Sequence, residues 1–167
     1  SIYKKISNRI IENIPAKKLK TLPLLEYQTI RGMRNAVNPE DLIYTRNLKF
    51  QQSIPDSAIM ESDVVIGFDT SSWILAHRCK ALKKKFFLDV SIGHPLSKEK
   101  IYNDLSILYP DWKEQIAPKR KEFIELECRE MEMADLIVVP SEFVKQTLVE
   151  NGISSDKIKL NPFGTFI

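Results

Sequence analysis

The chain has 167 residues, 43% of them hydrophobic, and a formal net charge of +3. These values predict one folded domain with a real core, and so small a charge does not indicate nucleic acid as a partner. No apolar run is long enough to span a membrane, and the first five residues lack the apolar block of a signal peptide.

The two cysteines, Cys79 and Cys128, are far apart and belong neither to a CxxC pair nor to a cluster with histidine. This spacing argues against a structural zinc site, so no metal is expected. It also favours reduced thiols, as in a cytosolic protein. The predicted location is therefore the cytoplasm.

The first third of the chain is basic, with few acids to balance the following residues: Lys4, Lys5, Arg9, Lys17, Lys18, Lys20, Arg31 and Arg34. An anionic partner and a simple solvated face are both open interpretations of this charge. Isoleucines recur every four positions from Ile2 to Ile14, which predicts an amphipathic helix ended by Pro15. This helix could pack on its own domain or make peripheral contact with the inner face of a membrane. Packing is favoured because the stripe has no tryptophan or phenylalanine.

Three further helices are predicted before the first strand. The first spans Pro23 to Val37. Asn38 and Pro39 are the N-cap and first position of the second helix, which ends near Pro55. The third is short and spans Ser57 to Glu61.

From residue 63 onward, short apolar runs alternate with helical segments. The predicted strands are Val64–Phe68, Phe86–Val90, Leu136–Val139 and Ile158–Leu160. The predicted helices are Ser72–Leu82, Lys98–Met133 with a break at Pro110, and Ser141–Asn151, the last ended by Gly152. This alternation predicts a Rossmann-like parallel sheet with right-handed crossovers, and the continuous apolar strands favour a sheet covered on both faces. Residues 1–62 then form a helical, basic part and residues 63–167 the α/β part of one domain.

The carboxyl ends of parallel strands meet at one edge of a sheet, and ligands bind in the crevice beyond that edge. Polar or turn residues follow every predicted strand: Asp69, Thr70, Ser71 and Ser72; Ser91, Gly93 and His94; Ser141 and Glu142; Pro162, Phe163 and Gly164. Hydroxyls, carboxylates and an imidazole beside apolar strands suit a polyhydroxylated ligand or a proton transfer.

Each of the main candidates at this edge has a structural alternative. His94 could position or polarise a substrate hydroxyl, or it could be a loop histidine bonded to a carbonyl. Asp69 could orient a hydroxyl, but a place in the cap of the following helix is favoured. Ser141 is expected to cap its helix, and Glu142 is expected to face the helix dipole from the first turn.

The acidic helix from Lys119 to Asp135 is predicted to be mainly a solvated face, with Ile124, Cys128 and Met131 turned toward the sheet. His77 is expected at the surface. The chain has no GxGxxG, GxxxxGK[ST], GxSxG or HExxH motif. It therefore has no evident phosphate cradle of its own.

Three segments together resemble the N-terminal half of a GT-B glycosyltransferase of the retaining glycosyltransferase family four. "ESDVVIGFDTSS" resembles a strand and loop of that half, and "KKKFFLDVSIGH" resembles the next strand with the family's histidine loop. "ECREMEMADLIVVPSEFVKQTLVENGISSDKIKLNPFG" resembles the E-x₂-E-x₃-AD-x-I-x-V-P-S-E-x-V segment, the G-[IV]-x-x-x-K-I turn and the P-[FY]-G entry to the second domain. The third segment is the most specific.

By this resemblance His94 matches the acceptor-side histidine that lies close to the transferred sugar. Gly164 matches the glycine of the interdomain turn, although Thr165 and Phe166 replace the usual Val-Asp. The other cleft-lining candidates come from their positions after the predicted strands: Asp69, Ser71, Ser91, Ser141 and Glu142.

The resemblance implies the acceptor-side half of a two-domain enzyme, without the family's first strand and glycine-rich loop. The implied reaction moves a sugar from a nucleotide-diphosphate donor to a hydroxyl of a lipid or polysaccharide. The implied partners are a C-terminal donor-binding domain and a sugar or lipid-linked acceptor, with no cofactor and no metal. The isolated chain is expected to be inactive. The alternative is a non-catalytic Rossmann-like binding module.

Overall fold

The computed structural model describes residues 14–34, 39–112 and 119–164. Helices and strands are numbered separately in chain order. The helices are α1 (Pro23–Met33), α2 (Pro39–Gln52), α3 (Asp56–Met60), α4 (Trp73–Ala81), α5 (Pro95–Leu108), α6 (Lys121–Met133) and α7 (Glu142–Glu150). The strands are β1 (Val64–Phe68), β2 (Lys85–Asp89), β3 (Leu136–Val139) and β4 (Ile158–Leu160). Short 3₁₀ helices lie at Ala16–Lys18, Pro110–Trp112 and Ser155–Lys157.

The chain divides into two compact units, Ser1–Leu42 and Ile43–Ile167. In the first unit, α1 begins with Pro23 at its first position, as predicted, because proline needs no hydrogen-bond partner there. The Thr29 hydroxyl donates to the Leu25 carbonyl one turn earlier, at 2.9 Å. The predicted helix from Ile2 and the predicted cap at Asn38 lie outside the described residues.

The second unit is built on a four-stranded parallel sheet in the order β1-β2-β3-β4. The predicted α/β fold with helices flanking a parallel sheet is confirmed. Right-handed crossovers between strands taken in sequence place their connecting helices on the same face. The burial pattern agrees, since Phe86, Leu88, Ile137 and Val139 alternate with less buried neighbours and form the core with α4, α6 and α7.

The expectation that both faces are covered differs from the structure. On the opposite face of β1, Ile66 and Phe68 are 64% and 62% exposed. Phe87, Leu136 and Val138 are only partly buried on the same face of β2 and β3. Apolar residues occupy both faces of these strands, so the sequence alone could not show that only one face is packed within the described residues.

The predicted strands agree with the observed ones to within one residue, but some helix boundaries differ more. The first half of the segment predicted from Lys98 begins at Pro95, with His94 as its N-cap. The predicted break at Pro110 is a 3₁₀ turn, and α6 begins only at Lys121. Proline at the first helical position explains the early start, and the sequence interpretation overlooked that signal.

Gly152 ends α7 as predicted. It has φ of 90°, and its N–H donates to the Val149 carbonyl at 3.0 Å. The Ile153 N–H donates to the Leu148 carbonyl at 3.1 Å. This pair of bonds is a Schellman motif, which turns the chain toward β4.

Candidate functional site

The loops after the four strands lie at one edge of the sheet, because all four strands are parallel. Asp69 and Ser91 directly join the first two of these loops. The Asp69 carboxylate accepts from the Ser91 N–H at 3.0 Å and from the Ser91 hydroxyl at 3.1 Å. Asp69 therefore fixes the distance between two strand-end loops, and its carboxylate does not cap α4.

Thr70, next to Asp69, has a left-handed backbone with φ of 66°. This conformation is unusual for a β-branched residue and must be held by its surroundings. Asn47, which is buried on α2, donates from its side-chain amide to the Thr70 carbonyl at 2.9 Å. No sequence pattern predicts this backbone conformation at Thr70, since threonine normally avoids it.

His94 is 3% exposed and stands at the start of α5. Its Nδ1 accepts from the Leu96 N–H at 3.3 Å, so Nδ1 acts as the helix cap and the ring proton of the neutral form lies on Nε2. Its own backbone N–H donates to the Thr147 hydroxyl on α7 at 3.0 Å. Burial lowers the pKa of His94 below its usual value, so the neutral donor form prevails at neutral pH. No described residue hydrogen-bonds to Nε2, so this N–H is the ring donor that the described part of the fold leaves unused.

An aromatic ring lies beside the His94 loop. Phe143 on α7 is 62% exposed, and its Cε1 would lie 3.8 Å from a Cβ placed on Gly93. The sequence interpretation did not single out Phe143, although its position two residues after Ser141 places it in the first turn of α7. It supplies an apolar surface beside Gly93, the residue before His94.

The remaining predicted site residues are engaged in local structure or exposed. The Ser141 hydroxyl accepts from the Val144 N–H at 3.3 Å and caps α7, as predicted. Glu142 is largely exposed, with Lys145 3.8 Å away. The Ser71 hydroxyl donates to the Phe68 carbonyl at 3.1 Å. Gly164 is exposed, and no heavy atom lies within 4 Å of a Cβ placed on it.

Two glutamates of α6 are buried close to Asp69, and the prediction of a solvated face is wrong for both. The Glu130 carboxylate is 1% exposed and accepts from the Ser72 N–H at 2.8 Å. Glu127 is also buried and forms an ion pair with Lys119. The spacing 123, 127, 130, 134 follows a helix face that also carries Phe123 and Ala134, so the sequence held a signal for this burial.

Burial controls the protonation of these glutamates. It raises the pKa of Glu130 to about 8, although the Ser72 N–H opposes the shift. It also raises the pKa of Glu127, an effect that the hydrogen bond and the charge of Lys119 partly offset. Glu130 is thus largely a neutral acid at neutral pH, and it joins α6 to the loop that follows β1.

Gln51, which is completely buried on α2, supports the same loop from another side. Its Oε1 accepts from the Ile74 N–H at 2.7 Å and from the Leu75 N–H at 3.3 Å. These are N–H groups of the first turn of α4, which have no partner within their own helix. Together with Glu130, Gln51 satisfies the start of the helix.

Replacing Gln51 with leucine should lower the free energy of unfolding by about 2 kcal/mol, because two buried N–H groups lose their acceptor. Urea denaturation followed by circular dichroism measures this change. Gln52→Leu, at the exposed neighbouring position, is the control and should change stability by less than about 0.5 kcal/mol. Equal stability of the two variants would contradict the capping role of Gln51.

Comparison of the chain with protein-family models, curated proteins and solved structures gives no match. In the part of the chain that the structure describes, no three histidine, cysteine or acidic side chains are grouped to hold a metal ion. The helices of that part are also too short or too polar to cross a bilayer.

Proposed function

We propose that the chain is the acceptor-side half of a retaining glycosyltransferase of the GT-B type. The complete enzyme would transfer a sugar from a nucleotide-diphosphate donor to a hydroxyl of a lipid or polysaccharide. The observation that carries this proposal is the buried, neutral His94, whose Nδ1 is used as a helix cap and whose Nε2–H is left to donate. This residue ends the segment that resembles the histidine loop of the family.

The surroundings of His94 support a sugar hydroxyl as its ligand. A neutral imidazole N–H donates to an uncharged oxygen without requiring an opposite charge. The exposed Phe143 ring beside Gly93 offers the apolar surface that sugar-binding clefts combine with a few polar groups. Asp69 and Ser91, tied together at 3.0 Å, form a second polar group at the same sheet edge.

In this proposal, the residues of the chain orient the acceptor and do not form a covalent intermediate. Nε2–H of His94 holds a hydroxyl near the reacting carbon, while α5 fixes the ring through Nδ1. Transfer then depends on proximity and on stabilisation of the leaving diphosphate, which a donor-binding domain would supply. A donor-binding domain is accordingly a proposed partner, and membrane contact through Ile2–Ile14 would suit a lipid-linked acceptor.

His94→Asn should reduce sugar transfer about 100-fold in a protein that joins the chain to a donor-binding domain, with nearly unchanged stability. Asparagine keeps the helix-capping oxygen but lacks the Nε2–H group. Release of nucleoside diphosphate from a panel of UDP-, GDP- and ADP-sugars, with lipid-linked and soluble glycan acceptors, measures the transfer. His94→Ala is the comparison, because it loses the cap as well, at a cost of about 1 kcal/mol in stability.

The 167-residue chain by itself should bind a glycan acceptor without releasing nucleoside diphosphate. Saturation-transfer NMR with the same acceptors measures the binding, and Phe143→Ala should weaken it while leaving the fold intact. Transfer by His94→Asn at the wild-type rate, or turnover of a nucleotide sugar by the isolated chain, would overturn the proposed function. Glycan binding with no transfer in any joined protein would favour the non-catalytic binding module.

A further inference from the structure

The face of the sheet opposite the packed helices, here named the open face, carries a regular pattern of side chains. Its members alternate with the core residues along each strand: Val64, Ile66 and Phe68 on β1; Lys85, Phe87 and Asp89 on β2; Leu136 and Val138 on β3; Lys159 on β4. Ile66 and Phe68 are more than half exposed. Exposed apolar side chains grouped on one face of a sheet often mark an interface.

On β2, a basic and an acidic residue lie at equal distances on the two sides of Phe87. Lys85 and Asp89 lie two residues before and after Phe87, about 7 Å away along the strand on each side. On β1, Val64 and Phe68 are placed in the same way around Ile66, which is the register partner of Phe87. A line through Ile66 and Phe87 runs across the two strands. Rotation by 180° about this line exchanges the position of Lys85 with that of Asp89.

We propose that the open face is the interface of a homodimer, in which two copies pack sheet against sheet with their strands antiparallel. The two-fold axis lies across the strands at the level of Ile66 and Phe87. Asp89 then faces the partner's Lys85, and Lys85 faces the partner's Asp89. Ile66, Phe87 and Leu136 form the apolar centre. This interface is self-complementary, as a two-fold dimer requires.

Two contacts of the described residues affect this geometry. Lys85 already bonds the Asp135 carboxylate at 2.7 Å, but its side chain is 67% exposed and can serve both carboxylates. The outer edge of β1 is a less open route for association, because the Phe68 N–H donates to the Ser72 hydroxyl at 3.0 Å. Face packing leaves that bond intact. The usual rotation of about 30° between packed sheets shifts Asp89 and the partner's Lys85 by only a few ångströms, within the reach of a lysine.

The small size of the sheet favours a weak dimer. Four strands about 4.8 Å apart and three rows of residues about 7 Å apart form a small patch, at the low end for specific protein interfaces. Such an area fits a dimer with a dissociation constant in the micromolar range. Sedimentation velocity of the 167-residue chain from about 1 to 200 μM should show this monomer–dimer equilibrium.

Ile66→Arg should make the chain monomeric across this concentration range, because it places a charge at the centre of the apolar patch. The control is Ile107→Arg on α5, at an isoleucine that is 75% exposed, which should leave the dimer unchanged. Circular dichroism establishes that both variants are folded. A wild-type chain that stays monomeric at 200 μM, or dimers that persist in Ile66→Arg, would rule out this interface.

Exchange of the charges gives a second, independent test. Asp89→Lys and Lys85→Asp should each weaken self-association at least tenfold, since like charges then face each other twice. Mixing the two variants in equal amounts should restore a dimer, because each Lys/Lys face meets an Asp/Asp face. Failure of the mixture to dimerise would overturn the proposed register. Recruitment of a monomeric chain to anionic or neutral vesicles, lost in Ile66→Arg, would instead identify a lipid surface as the occupant and overturn the homodimer.

Discussion

Replacing Glu130 with glutamine should leave the free energy of unfolding nearly unchanged at pH 5 and raise it by several kcal/mol at pH 9. Glutamine has the shape of the protonated carboxyl group but cannot ionise. Glu130 is 1% exposed, and burial raises its pKa to about 8 from an ordinary value of 4.5. The difference between the wild type and this variant therefore isolates the ionisation of one buried group.

The direction of this pH effect follows from proton binding. Between pH 4.5 and 8, the folded state holds a proton on Glu130 that the unfolded state has lost. The stability contributed by this group is therefore fully present below pH 4.5 and is lost as the pH rises through 8. At about 1.4 kcal/mol per pH unit, the loss approaches roughly 4–5 kcal/mol at alkaline pH.

The groups that face Glu130 account for this shift. Burial is the largest cause of the raised pKa, and the negative charges of Glu127 and Asp69 act in the same direction. The N–H groups of Ser72 and Thr70 oppose it by donating to the carboxyl group. His94 acts in the opposite sense on stability, because its lowered pKa makes the folded state less stable as the pH falls. A comparison with a matched variant is therefore needed, since the wild-type profile contains both effects.

Urea denaturation at pH 5, 7 and 9 measures the predicted difference. The matched control is Glu132→Gln, at an exposed position of the same helix, which should leave the pH dependence as in the wild type. If Glu130→Gln and the wild type had the same free energy of unfolding at pH 9, ionisation of Glu130 would not destabilise the folded protein. The role assigned to burial would then be wrong.

The sequence predicted the framework of the fold because its signals are local. Short apolar runs rich in β-branched residues predict β1 and β3, and Gly152, whose φ is 90°, marks the end of α7. The capping role of Ser141 followed from its place between a strand and a helix. Such features depend on a few neighbouring residues, which one sequence displays directly.

The contacts that shape the candidate site are non-local, and the sequence did not display them. The Asp69–Ser91 bond joins residues from two strand ends, and Glu130 reaches Ser72 across 58 positions of the chain. Gln51 caps a helix that begins 22 residues later. Polar side chains of this kind look like surface residues in a sequence, because their partners are known only after the chain has folded. The position of His94 after a predicted strand made it a candidate site residue. The sequence did not predict that its Nδ1 caps α5.

Gly67→Ala should lower the free energy of unfolding by about 3 kcal/mol, which is in the upper part of the range for overpacked sites. It should lower the melting temperature by about 6–12 °C. A Cβ at this position would lie 2.3 Å from the Ser72 Oγ, 2.6 Å from the Ser72 Cβ and 2.9 Å from Phe86 Cε2. The Ser72 side chain cannot move away freely, because its hydroxyl bonds both the N–H and the carbonyl of Phe68 at 3.0 Å. The absence of a side chain at Gly67 thus lets the start of α4 lie directly on β1.

A double-mutant cycle assigns this cost to its cause. The Ser72→Gly background removes the two closest contacts of the added Cβ, so the cost of Gly67→Ala should fall by more than half. Gly164→Ala is the control and should be neutral, since no heavy atom lies within 4 Å of its Cβ position. Thermal denaturation of the four members of the cycle measures the coupling. Equal costs in both backgrounds would show that the close approach of α4 to β1 does not depend on Gly67. A large coupling would show that Gly67 determines how closely the segment from Asp69 to the start of α4 packs on β1. Gly67 would thereby influence the geometry of the sheet edge.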